Sequence, residues 1–153
     1  SREPYLLSAG RIWDEAKNIQ LLAEIAGEVR VPIRVAGESD HPDELGSSEM
    51  GSLEILGQLS QTELRTQMHN ASLFVHPAKY EPFGLAPLEA AQCGCPLILA
   101  DIASLREIWG SAAIYLDPNS PRDWLKLLNR LIVDQPAREG LGKASMKRAQ
   151  QYT

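Results

Sequence analysis

Six short apolar runs recur along the chain, each followed by a polar or helical stretch. That alternation limits the possible folds more than any other feature. The runs are Leu6–Ala9, Ile33–Ala36, Leu53–Leu56, Leu73–His76, Leu97–Ala100 and Ala113–Leu116. Each has strand length and is too short for a helix of its own. Between them, residues 17–29 carry Ile19, Leu22, Ala26 and Val29 at helical spacing. Ser60 and Glu63 form a capping-box pattern that opens a helix to about Asn70. An Ala-rich helix ends near Gly94, with Pro96 beyond it as a stop. Ser104 and Glu107 are expected to cap a short helix. Ser120, Pro121 and Asp123 open another, with Trp124, Leu127, Leu128 and Leu131 on one face. A more polar helix follows from about Pro136, and residues 38–51 read as a loop. Strands alternating with helices predict an α/β fold whose parallel sheet is covered by helices on both faces. A chain of 153 residues suffices for one such domain, spanning 1–153, with one sizeable core.

Ligands bind such sheets at the carboxyl ends of the strands. The loops holding Arg11, Gly57 and Glu81 all follow strands, so all three open on one edge. The Glu81 loop is the most informative. It reads Glu81-Pro82-Phe83-Gly84-Leu85-Ala86-Pro87-Leu88-Glu89. Pro82 and Gly84 suit a turn, and Pro87 is tolerated only in the first turn of a helix. The segment therefore reads as strand, tight loop and helix N-terminus. That terminus offers unpaired N–H groups and partial positive charge, a seat for a phosphate. Glu81 stands at the loop entrance and Glu89 about a turn inside the helix. One carboxylate can face each end of a ligand. A nucleotide-sugar has that layout: sugar hydroxyls, diphosphate, then ribose diol.

Glu81 to Glu89 resembles the E-x7-E motif of retaining GT-B glycosyltransferases in the glycosyltransferase group 1 (GT4-like) family. Gly10-Arg11 followed by Lys17-Asn18 is similar to that family's early segment. Leu56-Gly57-Gln58-Leu59-Ser60 with Glu63-Leu64 resembles its middle segment. Ala90-Ala91-Gln92-Cys93-Gly94-Cys95-Pro96 and Leu105-Arg106-Glu107-Ile108 resemble later ones. Order and spacing agree over nearly the whole chain. The resemblance implies a Rossmann-like domain, the C-terminal half of a GT-B fold.

It also implies roles. Arg11 and Lys17 clamp the donor diphosphate, Arg as a fork and Lys as a mobile point charge. Gly10 belongs to the same loop. Glu81 binds hydroxyls of the donor sugar, and the backbone N–H groups of Phe83, Gly84 and Leu85 face the distal phosphate and sugar. Glu89 holds both ribose hydroxyls, while Gly57 to Leu59 pass beside the base. Glu81, Arg11 and Lys17 are the expected catalytic groups. The plainer readings are solvated surface charges for Arg11 and Lys17, and for Glu89 a helix-dipole partner contributing ~0.3–1 kcal/mol. His76 can touch a phosphate or be a buried strand-end residue, and stays outside the core assignment. Lys79 and Tyr80 contact sugar or acceptor, or pack the loop. Glu107 reads as a cap, and His41 and His69 as surface residues.

A formal net charge of -5 argues against nonspecific binding of nucleic acid. No run is long enough to span a bilayer, and the N-terminus has no signal-peptide pattern. The chain enters its first strand almost at once and so reads as a piece of something longer. Cys93 and Cys95 have no second Cys pair and no close His, so they read as small buried residues suited to a reducing cytoplasm. There is no G-x-G-x-x-G, Walker A loop, nucleophile elbow or Asp-x-Asp pair. No metal or other cofactor is expected, because Arg11 and Lys17 can neutralise the diphosphate.

The expected function is donor binding for a retaining glycosyltransferase of hexosyltransferase type. The donor is a UDP-, GDP- or ADP-sugar. The resemblance implies front-face attack by a carbohydrate or other hydroxyl acceptor, which is held by an N-terminal domain absent from this chain. Alone, the chain is expected to turn over little. The alternatives are a noncatalytic nucleotide-sugar-binding module and a GT-B-fold nucleotide-sugar epimerase.

Overall fold

The computed structural model describes residues 4–38 and 50–152. The strands are β1 (Leu6–Ala9), β2 (Ile33–Ala36), β3 (Glu54–Gly57), β4 (Leu73–His76), β5 (Leu97–Ala100) and β6 (Ile114–Leu116). The helices are α1 (Ile19–Ile25), α2 (Gln61–Asn70), α3 (Leu85–Gln92), α4 (Ala103–Trp109), α5 (Pro121–Ile132) and α6 (Gln135–Ala149). All strand pairs are parallel, in the order β3-β2-β1-β4-β5-β6. The fold is therefore the expected α/β, Rossmann-like one.

The central strands are mostly apolar because both faces are covered. Alternate residues go to opposite sides. Leu6, Val75 and Ile98 join α1 and α5 residues such as Leu22 and Trp124 in one core. Leu7, Phe74, Leu97 and Leu99 join Met68 of α2, Ala90 of α3 and Trp109 of α4 in the other. Both Trp109 and Trp124 are fully buried.

Four boundaries differ from expectation. α1 is shorter than residues 17–29. Asn18 adopts a left-handed conformation with φ 57° and so precedes the helix instead of lying within it. After Ile25 the backbone tightens, with Glu28 donating to the Ile25 carbonyl, though Ala26 and Val29 stay buried as their spacing suggested. β3 starts one residue later than expected, at Glu54, and β6 starts at Ile114. α4 begins at Ala103, so Ser104 and Glu107 do not cap it; its N-cap, Ile102, makes no side-chain bond. Ser104 has another task, described below. The loop expected at 38–51, with His41, lies mostly outside the described residues.

The capping box is present. Ser60 Oγ accepts from the Glu63 N–H at 3.1 Å, and Glu63 Oε1 accepts from the Ser60 N–H at 2.9 Å. Ser60→Ala is expected to lower stability by about 1 kcal/mol, as an N-cap loss does. Urea unfolding checks it; an unchanged midpoint contradicts a stabilising cap. Cys93 and Cys95 are both buried, as expected.

Candidate functional site

The order of winding reverses between β1 and β4, which are neighbours in the sheet although not in sequence. At such a switch point the loops after the two strands part and leave a crevice. The β1 loop brings Gly10 to Asn18 to that crevice. The β4 loop brings His76 to Gly84.

Two glycines set the first wall. The Gly10 N–H donates to the Ala36 carbonyl of β2 at 2.9 Å. Gly37 passes directly beneath, with φ 139°, and a Cβ there would lie 2.3 Å from the Gly10 carbonyl oxygen. Only glycine allows that approach. A Cβ on Gly10 would in turn meet the Lys17 stem at 3.1 Å, so Gly10 clears the path of that side chain.

Asn18 ties the walls together. Its Nδ2 donates to the Pro77 carbonyl at 3.0 Å and to the Pro118 carbonyl at 2.9 Å. The left-handed backbone that shortens α1 is what aims this amide. The Lys79 N–H reaches back to the Ala16 carbonyl at 2.8 Å. Three loops are thus fastened at the carboxyl edge.

Glu81 lies where they meet, with only 7% of its surface exposed. Lys17 Nζ stands 3.1 Å from its Oε1, and His76 Nε2 stands 2.9 Å from the same oxygen. The Gly84 N–H points at Oε2 from 3.3 Å. Ser104 Oγ, from α4, donates to the Glu81 carbonyl at 2.7 Å. Hydrogen bonding by His76 and then Lys17 holds the Glu81 carboxyl down at about 2, against the raising effect of burial. The carboxylate is ionised and only accepts.

A lowered folded value means stability that is present above the unfolded value and lost as pH falls through the folded one. The window runs from 4.5 down to about 2. Acid unfolding of the Glu81→Gln chain is therefore expected to lack part of the loss that wild type shows across that window. Circular dichroism against pH checks it; parallel curves would contradict the pairing.

Gly84 is the N-cap of α3, with φ 62°. That left-handed turn swings the chain from the crevice into the helix. Leu85 and Ala86 have no carbonyl one turn back to bond, and Pro87 brings no N–H. Phe83 is 72% exposed and Leu85 61% exposed, so this turn is open to solvent. Glu89, one turn further, accepts from Gln61 Nε2 at the start of α2. That contact links Glu89 to the loop of Gly57 and Leu59, where Gly57 has φ 74° and open space beside it.

The expected residues therefore share one sheet edge, with differences in detail. Arg11 does not face Glu81; its Nη2 pairs with Asp14 Oδ2 at 3.3 Å, and its guanidinium lies over Trp13. The Gly84 N–H, expected to face a phosphate, is engaged by Glu81. Tyr80 is largely exposed. His76 was left out of the core assignment, and the structure places it in direct contact with Glu81. Gln61, Asn18 and Ser104 were missed as well. The His76-Pro77 pair just before the loop and the Lys17-Asn18 pair of the early segment were the only hints at any of them. A second cleft of about 790 Å³ lies at the same edge, lined by Trp13, Asp14, Asn18, Lys79 and Asn119 among others, and by none of Lys17, Glu81 or Glu89.

A doubly wound parallel sheet, with a crevice at its switch point and a helix N-terminus beside it, defines a Rossmann-like class of domain. The chain belongs to the glycosyl transferases group 1 family, whose family model matches residues 1–148. It is 32% identical over 118 residues to O-antigen chain mannosyltransferase B of Escherichia coli, covering 77% of this chain and 25% of that protein. It is 35% identical over 114 residues to a glycogen synthase of Mycobacterium tuberculosis, covering 69% and 27%. Among solved structures, sucrose-phosphate synthase of Thermosynechococcus elongatus superimposes with a TM-score of 0.84 at 25% identity, covering 97% of this chain and 41% of that one. Anabaena HepE, solved with UDP-glucose, shares the fold with a TM-score of 0.80 at 17% identity, covering 96% and 44%. The structural neighbours are GT-B glycosyltransferases. The chain spans between a quarter and somewhat less than half of the length of these proteins. Among the described residues, no helix is long and apolar enough to cross a membrane.

Proposed function

We propose that this chain is the donor-binding half of a retaining glycosyltransferase of the GT4 type that transfers a hexose from a nucleoside diphosphate sugar to an acceptor hydroxyl. The observation that carries the reading is the meeting of Lys17 and Glu81 at the switch point, beside the open first turn of α3. In this reading Lys17, Arg11 and the α3 N-terminus hold the diphosphate. Their charge is placed where negative charge grows as the glycosidic C–O bond breaks, which is where preorganised dipoles lower a barrier most. Arg11, itself half exposed, reaches the phosphate by leaving Asp14, a solvent-accessible ion pair of little energetic weight. Glu81 takes hydroxyls of the sugar. Glu89 takes the ribose diol, and the Gly57 to Leu59 backbone borders the base. No group in this scheme requires a metal.

The acceptor lies, in this proposal, on a further domain of a longer protein. The share of each relative that the chain covers supports this. We place the protein in a reducing, cytoplasmic setting, which suits a chain whose two cysteines are both small buried residues. Calorimetric titration with UDP, GDP and ADP, and then with their hexose conjugates, tests donor binding. Absence of binding to all of them would end the proposal. Transfer by the longer protein, with product stereochemistry read by proton NMR, tests the reaction. The alpha or other donor anomer should be retained. Binding without transfer points instead to a noncatalytic module, and a rearranged sugar to an epimerase. Transfer is expected to need the second domain, since an isolated half has no opposing wall to exclude water. Robust transfer by the 153 residues alone would contradict that.

A further inference from the structure

We propose that His76 is a positioning residue that holds Glu81 in place while Lys17 leaves it for the diphosphate of the incoming donor. The inference rests on the donor-binding reading above and concerns how the same site changes partners.

In the structure Lys17 is committed to Glu81, so its charge is not available to a phosphate. Lys17 and His76 both address Oε1, at 3.1 and 2.9 Å, while Oε2 has the Gly84 N–H at 3.3 Å. The two donors on Oε1 differ in freedom. The Lys17 side chain is 26% exposed and ends a flexible four-carbon stem. The His76 side chain is 2% exposed, sits at the end of β4, and stacks on Phe74 with centroids 5.9 Å apart. Lys17 can move and His76 cannot.

A buried carboxylate stripped of its donors is costly. Without His76, the departure of Lys17 would leave Oε1 bare. With His76, one donor remains on each oxygen: the Nε2–H on Oε1 and the Gly84 N–H on Oε2. Because the ionised carboxylate only accepts, His76 must carry its proton on Nε2. Lys17 is then shared between two anions, and His76 sets how readily it is released. Glu81 stays oriented for the sugar throughout.

Two measurements test this. The first uses the wild-type chain, labelled with 15N and titrated with UDP, GDP and ADP. As a nucleotide saturates, the Lys17 Nζ signal should shift, while the His76 Nε2–H stays hydrogen-bonded and unmoved. A Lys17 signal that stays put, or a His76 signal that moves with it, overturns the exchange. The second is a set of calorimetric cycles. A Gln amide reaches where Nε2 stands and an Asn amide does not. His76→Asn should weaken nucleoside diphosphate binding about tenfold, and His76→Gln under about threefold, the scale of one hydrogen bond to a charged group. In the Lys17→Met and Glu81→Gln backgrounds the His76→Asn loss should shrink to under about twofold, as coupling through a shared partner requires. An undiminished loss in those backgrounds, or equal effects of Asn and Gln, overturns the inference and leaves donor binding intact. If wild type binds none of the three nucleotides, the donor reading fails and this inference fails with it.

Discussion

Lys17→Ala is expected to weaken nucleoside diphosphate binding by roughly 1.5–3 kcal/mol, the usual scale for a hydrogen bond to a charged group. That corresponds to about a tenfold to hundredfold rise in Kd. The motive is position. Lys17 is the cation aimed into the crevice, its stem cleared by Gly10 and its ammonium beside the α3 turn. The variant should still fold, since Glu81 keeps His76 and the Gly84 N–H as donors. Arg11→Ala should cost less, because Arg11 is half exposed and engaged with Asp14 in the ligand-free chain. Calorimetry with whichever of UDP, GDP and ADP binds wild type checks both. Unchanged affinity in Lys17→Ala would remove the clamp from the proposal.

The second large effect separates the two glutamates. Glu81→Gln is expected to weaken the nucleotide-sugar by roughly 1.5–3 kcal/mol, because a charged acceptor for sugar hydroxyls is lost. It should not weaken the bare nucleotide, since Lys17 loses a competing anion. Glu89→Gln should weaken both ligands alike, because both carry the ribose. The geometry motivates the split. Glu81 is buried among the β1 and β4 loops, whereas Glu89 faces α2 through Gln61, beside the Gly57 loop. Equal loss of bare nucleotide in the two variants would mean that the ends have been assigned wrongly.

These expectations draw unequally on the two kinds of information. The strand positions were legible because each is a run of apolar residues with no room for a helix. Leu73–His76 and Leu97–Ala100 came out with the same bounds in the fold. Such strands announce themselves because both of their faces are buried. The start of α2 was legible too, since a capping box is a local device whose two partners are three residues apart. Ser104 and Glu107 have the same spacing and do not cap. The N-cap falls two residues earlier, at Ile102, and Ser104 bonds the Glu81 carbonyl across the fold instead. A local pattern competes with tertiary partners, and here the partner won.

The candidate site divides the same way. By itself, the sequence determined that the loops of Arg11, Gly57 and Glu81 share one edge, because parallel strands place every following loop on the same side. It also determined the turn into α3, through Pro82, Gly84 and Pro87. Only the tertiary structure decided which groups touch. The contacts of Lys17 with Glu81 and of Asn18 with Pro118 join residues 64 and 100 positions apart. That Gly37 must be glycine follows from the passage of Gly10 above it, and that His76 serves Glu81 follows from the curl of the β4 loop. Periodicity and capping act over one or two turns of chain, so they mark elements. Side-chain hydrogen bonds act over about 3 Å of space, so they appear only once the elements have been brought together.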